Sequence, residues 1–153
     1  MSSATRGWAR AAGLAGLVVM LDQATKAVAS SALGPDDRVK IALGVELADV
    51  RNRGVAFGLF ADGQALVLAV TAAALVLILG YFALNPSRPQ LWLGVGLVVG
   101  GAIGNLLDRI RADEVVDFID PPLWPAFNVA DIAIVTGIAM LVLVHRSPAD
   151  HPQ

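Results

Sequence analysis

Apolar residues fill four long stretches of the chain, and polar residues gather between them. Because the hydrocarbon core of a bilayer is about 30 Å thick, a helix needs about 20 mostly apolar residues to cross it. The pattern predicts four helices, at about 11–33, 64–84, 90–109 and 126–144. In the third, Gly96, Gly100 and Gly104 recur every four residues, a spacing that lets helices pack closely in lipid.

The connection between the first two predicted helices alternates apolar and polar residues. This alternation is clearest at 39–43 and 45–50 and is typical of strands with one solvent-exposed face. We therefore expect a surface β segment at about 38–62. The predicted fold class is a membrane all-α bundle of four transmembrane helices with a small β-sheet on the membrane surface, in one domain that covers residues 1–153.

Composition supports a membrane location. Hydrophobic residues make up 56% of the chain and charged residues only 16%, whereas about a quarter of a soluble chain is charged. The net charge is −2, without a block of basic residues that would neutralise phosphates, so nucleic-acid binding is excluded. The chain has no Cys, and its only histidines, His145 and His151, lie in the C-terminal tail. Its chemistry must therefore use carboxylates, amides, hydroxyls, Lys or Arg.

Two charged residues interrupt the first predicted helix. An ionisable group at the centre of a membrane helix costs about 2.5–3.5 kcal/mol, so it needs a partner or a function. Asp22 and Lys26 are four residues apart and would meet on one helix face. They form either an ion pair that orients the helix or the edge of a polar site.

Further polar groups lie at the ends of the other predicted helices. The segment 52–58, with Asn52 and Gly54, is either a turn or a strand that holds an extended peptide. Asn105, Asp108 and Arg109 fall within about one turn at the end of the third helix, where a capping or salt-bridge network would explain them.

Two further carboxylates have apolar neighbours. Asp117 lies within Val-Val-Asp-Phe at 115–118, and Asp131 ends Phe-Asn-Val-Ala-Asp at 127–131. Proline residues between them turn the chain back, so the two carboxylates could face each other. Close carboxylates do not both ionise readily, and one that keeps a proton beside one that acts as a base is the arrangement of an aspartic protease.

Five motif blocks in order resemble those of the signal peptidase II family, the bacterial membrane aspartyl peptidases that process lipoproteins. The blocks are Asp-Gln-Ala-Thr-Lys at 22–26, Asn-Arg-Gly-Val-Ala-Phe at 52–57, Gly-Gly-Ala-Ile-Gly-Asn-Leu-Leu-Asp-Arg at 100–109, 115–118 and 127–131. The resemblance implies that Asp117 and Asp131 are catalytic. It also implies supporting or substrate-binding positions at Asp22, Lys26, Asn52, Gly54, Asn105, Asp108, Arg109, Asn128 and Ala130.

The same resemblance implies an activity and a location. The family removes signal peptides from prolipoproteins whose lipobox cysteine carries a diacylglyceryl group, cleaving just before that cysteine. No metal or organic cofactor is implied, and the expected partners are these substrates and membrane lipids, not nucleic acid. We expect a monomeric multi-pass protein of the bacterial plasma membrane, with both termini cytoplasmic and with the sheet and active site at the outer leaflet.

Two other functions would also use these residues. Lys26 and Ser30 have the spacing of a Ser-Lys dyad, although Asp22 one turn away would favour a charged ammonium over a general base. A small transporter would also place Asp and Lys within the membrane, yet here the polar residues gather at one end of the helices.

Overall fold

The computed structural model describes residues 2–34, 36–53, 63–86 and 88–146. Within this part of the chain, the elements in order are α1 (Ser3–Ala32), β1 (Arg38–Ala42), β2 (Val45–Asn52), α2 (Gly63–Leu84), α3 (Leu91–Ala112), β3 (Val115–Asp120) and α4 (Val129–Arg146). Helices α1, α2 and α3 are long and apolar enough to cross a bilayer, and the apolar helix α4 is shorter. The predicted membrane bundle of four helices with a small sheet is confirmed.

Several predicted boundaries are wrong, for local reasons. Helix α1 begins at Ser3 and not near 11, because Ser2 caps it: the Ser2 hydroxyl accepts a hydrogen bond from the Thr5 amide at 3.1 Å. Helix α4 begins at Val129 and not near 126, because Asn128 Oδ1 accepts from the Asp131 amide at 3.0 Å. Helix α3 continues past 109 to Ala112. Of the predicted β segment, 54–62 lies outside the described residues.

The sheet is antiparallel in the order β1-β2-β3. Strand β3 was not predicted as a strand; it pairs with β2 so that Asp117 lies opposite Val50. Its first four residues, 115–118, are all buried. A strand buried on both faces has no apolar and polar alternation to detect, which explains why the pattern missed it.

Helix α3 is central and packs closely on both α1 and α4 through glycine. A Cβ atom added at Gly100 would lie 2.8 Å from the Ala15 carbonyl oxygen of α1. A Cβ atom at Gly101 would lie 2.4 Å from the Ala130 carbonyl oxygen of α4. Because backbone atoms on both sides come this close, only glycine permits the observed helix separation.

Gly101→Ala should lower the thermal unfolding midpoint of the detergent-solubilised protein. The added methyl group forces α4 away from α3, and overpacking of this kind costs about 1–3 kcal/mol. The control is Gly16→Ala on α1, where an added Cβ meets nothing within 4 Å; this variant should match or slightly exceed the parent. Equal midpoints for the two variants would contradict the close packing of α3 on α4.

Candidate active site

Asp117 and Asp131 both accept hydrogen bonds from the same residue, Asn128. Asn128 Nδ2 donates to Asp117 Oδ1 on β3 at 2.7 Å, and the Asn128 backbone amide donates to Asp131 Oδ2 on α4 at 3.2 Å. The Asn128 side chain is completely buried. The structure therefore brings together the two carboxylates that the motifs singled out, across the junction between the sheet and α4.

The loop after β3 makes this meeting possible. Phe127 folds back onto the strand: its amide donates to the Ile119 carbonyl at 2.9 Å, and its carbonyl accepts from the amides of Phe118 and Ile119 at 3.1 and 3.0 Å. Prolines at 121, 122 and 125 lie in the connection. Asn128 therefore follows immediately alongside the strand that carries Asp117.

The first turn of α4 is built from site residues. Asp131 Oδ2 accepts from the Asn128 amide while Asn128 Oδ1 accepts from the Asp131 amide, which is the reciprocal pattern of a capping box. The Ala130 amide donates to Asp22 Oδ1 on α1 at 3.0 Å. The side chains that accept hydrogen bonds from the backbone amides at the start of α4 therefore also set the position of Asp131.

A buried ion cluster joins α1 to α3. Lys26 Nζ lies 2.8 Å from Asp22 Oδ2 and 2.7 Å from Asp108 Oδ2, and it donates to Asn105 Oδ1 at 2.8 Å. Asp22 is fully buried and Lys26 nearly so. Both interpretations of the Asp22 and Lys26 spacing hold, since the ion pair exists and it also touches the site through Asn105.

The cluster determines how the Asn105 amide is oriented. An ammonium group only donates hydrogen bonds, so the atom that faces Lys26 must be the amide oxygen. That oxygen also accepts from Asn128 Nδ2 at 3.1 Å, and Asn105 Nδ2 donates to Asp131 Oδ1 at 2.8 Å. Lys26 thereby fixes the donor that Asn105 presents to Asp131.

Asp117 is only 2% exposed. Burial raises its pKa to about 6, and the nearby charge of Asp131 acts in the same direction. Hydrogen bonds from Asn52 and Asn128 favour the ionised form and oppose the shift; Asn52 Nδ2 lies 2.9 Å from Asp117 Oδ2. Asp117 therefore holds a proton at a higher pH than an ordinary aspartate does.

The remaining predicted positions differ in how directly they touch the pair. Arg109 Nη1 donates to the backbone carbonyl of Asn105 at 3.4 Å, and Gly54 lies outside the described residues. Sequence reasoning missed the contacts of Gln23 and Arg111. Gln23 Nε2 donates to Asp108 Oδ1 at 2.8 Å, and Arg111 Nη1 donates to Gln23 Oε1 at 2.7 Å.

The sequence contains part of the information needed to predict these contacts. Gln23 belongs to the first motif block and adjoins Asp22, and Arg111 lies three residues after Asp108, about one turn further along α3. Only the packing of α1 against α3 brings Gln23 and Arg111 together.

The geometry argues against the Ser-Lys dyad. The Lys26 ammonium is engaged by two carboxylates and an amide oxygen. Ser30 Oγ instead accepts a hydrogen bond from Arg51 Nη2 at 3.1 Å. Both members of the candidate dyad are therefore engaged with other partners.

Two apolar grooves lie near residues of the pair. One, of about 340 Å³, is lined by Asp131 itself together with Trp124, Phe127, Ile132, Val135 and Thr136. The other, of about 330 Å³, lies between α1 and the sheet and includes Val28, Leu47 and Phe118, the residue after Asp117. Each groove offers room for an apolar chain next to a carboxylate-bearing segment.

Comparison with known proteins points to one family. Residues 14–146 match the family model described as signal peptidase (SPase) II. The chain is 41% identical over 136 residues to the lipoprotein signal peptidase of Pelotomaculum thermopropionicum, covering 88% of this chain and 90% of that protein. It is 42% identical over 131 residues to the lipoprotein signal peptidase of Moorella thermoacetica, covering 84% and 87%.

Solved structures agree with this result. A bacterial membrane enzyme solved by the in meso method at 1.9 Å resolution is similar with a TM-score of 0.78 and 26% identity, covering 91% of this chain and 94% of that chain. A second, at 2.3 Å resolution, has a TM-score of 0.77 and 26% identity, covering 94% and 93%.

Asn52→Leu should raise the pKa of Asp117 further above 6, because the variant loses a hydrogen bond that favours the ionised carboxylate. Isotope-edited infrared titration of the protonated carboxyl band, with the protein in micelles, measures this value. The control is Asn85→Leu, since Asn85 binds the Tyr81 carbonyl at the far end of α2. A pKa that stays constant or falls in Asn52→Leu would show that Asn52 does not stabilise the charge.

Proposed function

Because the chain belongs to the signal peptidase II family, we propose that Asp117 and Asp131 are the catalytic pair with which it removes signal peptides from prolipoproteins. The observation that carries this assignment is the hydrogen bonding of both carboxylates to Asn128 at 2.7 and 3.2 Å. This shared partner brings two acidic side chains into one polar site at the end of an apolar bundle. The membership also sets aside the transporter alternative, since the family is a peptidase family.

In the proposed reaction the two carboxyl groups share one proton. The ionised member takes a proton from a water molecule, whose oxygen attacks the scissile carbonyl carbon. The protonated member donates to the carbonyl oxygen, and a proton then passes to the nitrogen of the leaving amine as the C–N bond breaks. The raised pKa of Asp117, about 6, supports a pair that retains its shared proton at a higher pH than two ordinary aspartates would.

The amides around the pair act as positioning residues. Asn52 and Asn128 each donate to one oxygen of Asp117, and Asn105 and the Asn128 backbone each donate to one oxygen of Asp131. Every carboxylate oxygen therefore has a fixed N–H donor, which orients both groups before substrate arrives. The supporting positions that hold this frame or contact the peptide are Asp22, Lys26, Gly54, Asp108, Arg109 and Ala130.

We propose that the substrate is a prolipoprotein whose lipobox cysteine carries a diacylglyceryl group, cleaved just before that cysteine. The groove of about 340 Å³ supports this choice, because it has Asp131 in one wall and apolar side chains such as Ile132 and Val135 in the others. An acyl chain in the groove would lie beside the bond to be cut.

Asp117→Asn and Asp131→Asn should each abolish cleavage of a diacylglyceryl-modified prolipoprotein by the purified enzyme, while the unmodified precursor is not cut even by the parent. Each variant should still insert and fold, because asparagine keeps the size of the side chain. The double variant should be no worse than either single variant, since residues that act as a unit are not additive.

Asp120→Asn is the matched control, because Asp120 lies on the same strand but pairs with Arg38 outside the site; it should retain activity. Near-normal turnover in either Asp117→Asn or Asp131→Asn would end the aspartyl assignment. Loss of turnover in folded Ser30→Ala would instead revive the Ser-Lys alternative.

We also propose that both termini and the 85–90 turn are cytoplasmic and that the active site lies near the outer leaflet. The assignment rests on the resemblance of the motif blocks to the signal peptidase II family. Counting Lys and Arg does not decide the orientation, because Arg6, Arg10 and Arg88 lie at the end with this turn and Arg109 and Arg111 at the end with the sheet. Because the chain has no native Cys, single cysteines report location directly.

With an impermeant maleimide on intact cells, Leu43→Cys at the exposed β1–β2 turn should be labelled, since Leu43 is 98% exposed. Gln90→Cys in the turn before α3 should be labelled only after the membrane is permeabilised. The reverse pattern would invert the proposed orientation.

A further inference from the structure

The side chain of Gln23 lies half-buried between α1 and α3, next to the ion cluster of Asp22, Lys26 and Asp108. Its Nε2 donates to Asp108 Oδ1 at 2.8 Å, and it also donates at 3.3 Å to Asp22 Oδ2 and to the Gly104 carbonyl. The reaction proposed above makes no use of this amide. Its contacts nevertheless place it against both carboxylates that hold the Lys26 ammonium.

Arg111 determines how the Gln23 amide is oriented. Arg111 Nη1 donates to Gln23 Oε1 at 2.7 Å, and a guanidinium group has N–H donors but no acceptor. The atom that faces Arg111 must therefore be the amide oxygen, which directs the amide nitrogen at the carboxylates. Asn105 has the same arrangement, with its oxygen toward the Lys26 ammonium and its nitrogen toward Asp131. Each of the two amides thus lies between a cation and a carboxylate.

The second oxygen of Asp108 needs a donor other than lysine. Lys26 Nζ lies within 2.8 Å of three oxygen atoms, one each on Asp22, Asp108 and Asn105, which matches the three N–H groups of an ammonium. These contacts leave no lysine donor for Asp108 Oδ1, and this oxygen accepts from Gln23 Nε2. Because a largely buried carboxylate oxygen without a donor costs free energy, Gln23 holds the Asp108 carboxylate in the orientation that faces Lys26.

From these contacts we infer that Gln23, oriented by Arg111, is a positioning residue for Asp131, an inference that rests on the catalytic role proposed above for Asp131. Gln23 reaches Asp131 through three linked groups, which are the Asp108 carboxylate, the Lys26 ammonium and the Asn105 amide. When the donor from Gln23 is lost, the carboxylate and the ammonium shift together and the amide no longer holds its N–H toward Asp131. A displacement of about 1 Å at a reacting group can cost about 100-fold in rate.

Gln23→Met removes the amide and keeps a side chain of similar length. With a diacylglyceryl-modified prolipoprotein as substrate, kcat should fall about tenfold or more while KM stays within about twofold of the parent, because the orientation of Asp131 matters in the transition state and not in binding. The control is Gln90→Met before α3, where the glutamine side chain makes no capping hydrogen bond; it should keep the parent kcat. Assays well below the unfolding midpoint of every variant compare folded enzymes only. An unchanged kcat in folded Gln23→Met would overturn the proposal.

Gln23→Glu tests whether the donor is what matters. An ionised carboxylate only accepts hydrogen bonds, whereas a protonated carboxyl group regains an O–H donor. At neutral pH this variant should lose kcat as Gln23→Met does, and its kcat relative to the parent should recover as the pH is lowered. The relative kcat of Gln23→Met should not change with pH, and equal pH dependence in the two variants would overturn the donor role.

Other charged groups also contact this position or interact with Asp108. They are Asp22 and Lys26 of α1, Arg109 and Arg111 of α3, and Arg51 of β2. Because all of them are present in the parent and in both Gln23 variants, the ratio to the parent removes their titration from the comparison.

Arg111→Met should reproduce part of the loss of kcat, because the Gln23 amide is then free to turn. Arg111→Lys should restore the parent kcat, since an ammonium group can also donate to the amide oxygen. These two variants replace Gln23→Met if it does not fold. A parent-like kcat in Arg111→Met would overturn the orienting role of Arg111.

Side-chain amide NMR of the full-length protein in micelles separates this proposal from the peptidase function. The side-chain amide resonances of Asn105 should shift in Gln23→Met and stay in place in Gln90→Met, while those of Asn85, which binds the Tyr81 carbonyl, should not move in either. A parent enzyme that does not cleave the modified prolipoprotein would end the proposed function, and the Asn105 resonances would still report whether Gln23 positions this amide. Unshifted Asn105 resonances in Gln23→Met would overturn the inference.

Discussion

The ammonium group of Lys26 lies between α1 and α3, and the hydrogen bonding of the aspartate pair depends on it. It pairs with Asp22 on its own helix and with Asp108 on α3, and it donates to Asn105, which in turn donates to Asp131. Buried charges are tolerated when they are paired and hydrogen-bonded, and removal of one partner is strongly destabilising because the others are left unpaired. The ion cluster thus combines a structural role with control over the site, since the same group that joins α1 to α3 determines which atom of Asn105 faces Asp131.

Close helix packing and the ion cluster depend on each other. A Cβ atom on Gly104 would lie 2.6 Å from Asp22 Oδ2, and one on Gly101 would lie 2.4 Å from the Ala130 carbonyl. Larger residues on this face of α3 would push away the helices that carry Asp22 and Asp131. The glycine positions that let helices approach in lipid therefore also allow a short-range polar network, in which hydrogen bonds of about 3 Å require backbones that lie close together.

The two ends of the bundle differ in the charged side chains that they bring together. At one end, β3 brings Asp117 under the cover of the sheet, where burial raises its pKa to about 6. At the other end, Arg6, Arg10 and Arg88 line a cavity between the start of α1 and the start of α3. The acidic pair and the arginine-lined cavity thus lie at opposite ends of one bundle.

The sequence by itself determined the number and approximate position of the helices, because each apolar stretch has the length that a bilayer requires. It also determined the Asp22–Lys26 pair, since residues four apart on a helix are neighbours. The order of the motif blocks singled out Asp117 and Asp131. Tertiary structure alone decided that Val115–Asp120 is a strand, because burial of both faces removes the alternation by which strands are recognised. It also decided that Lys26 contacts Asn105, 79 residues away, and that Asn128 joins the two carboxylates. Such contacts arise from helix packing and from a loop folded back on its strand, and local periodicity carries no information about either.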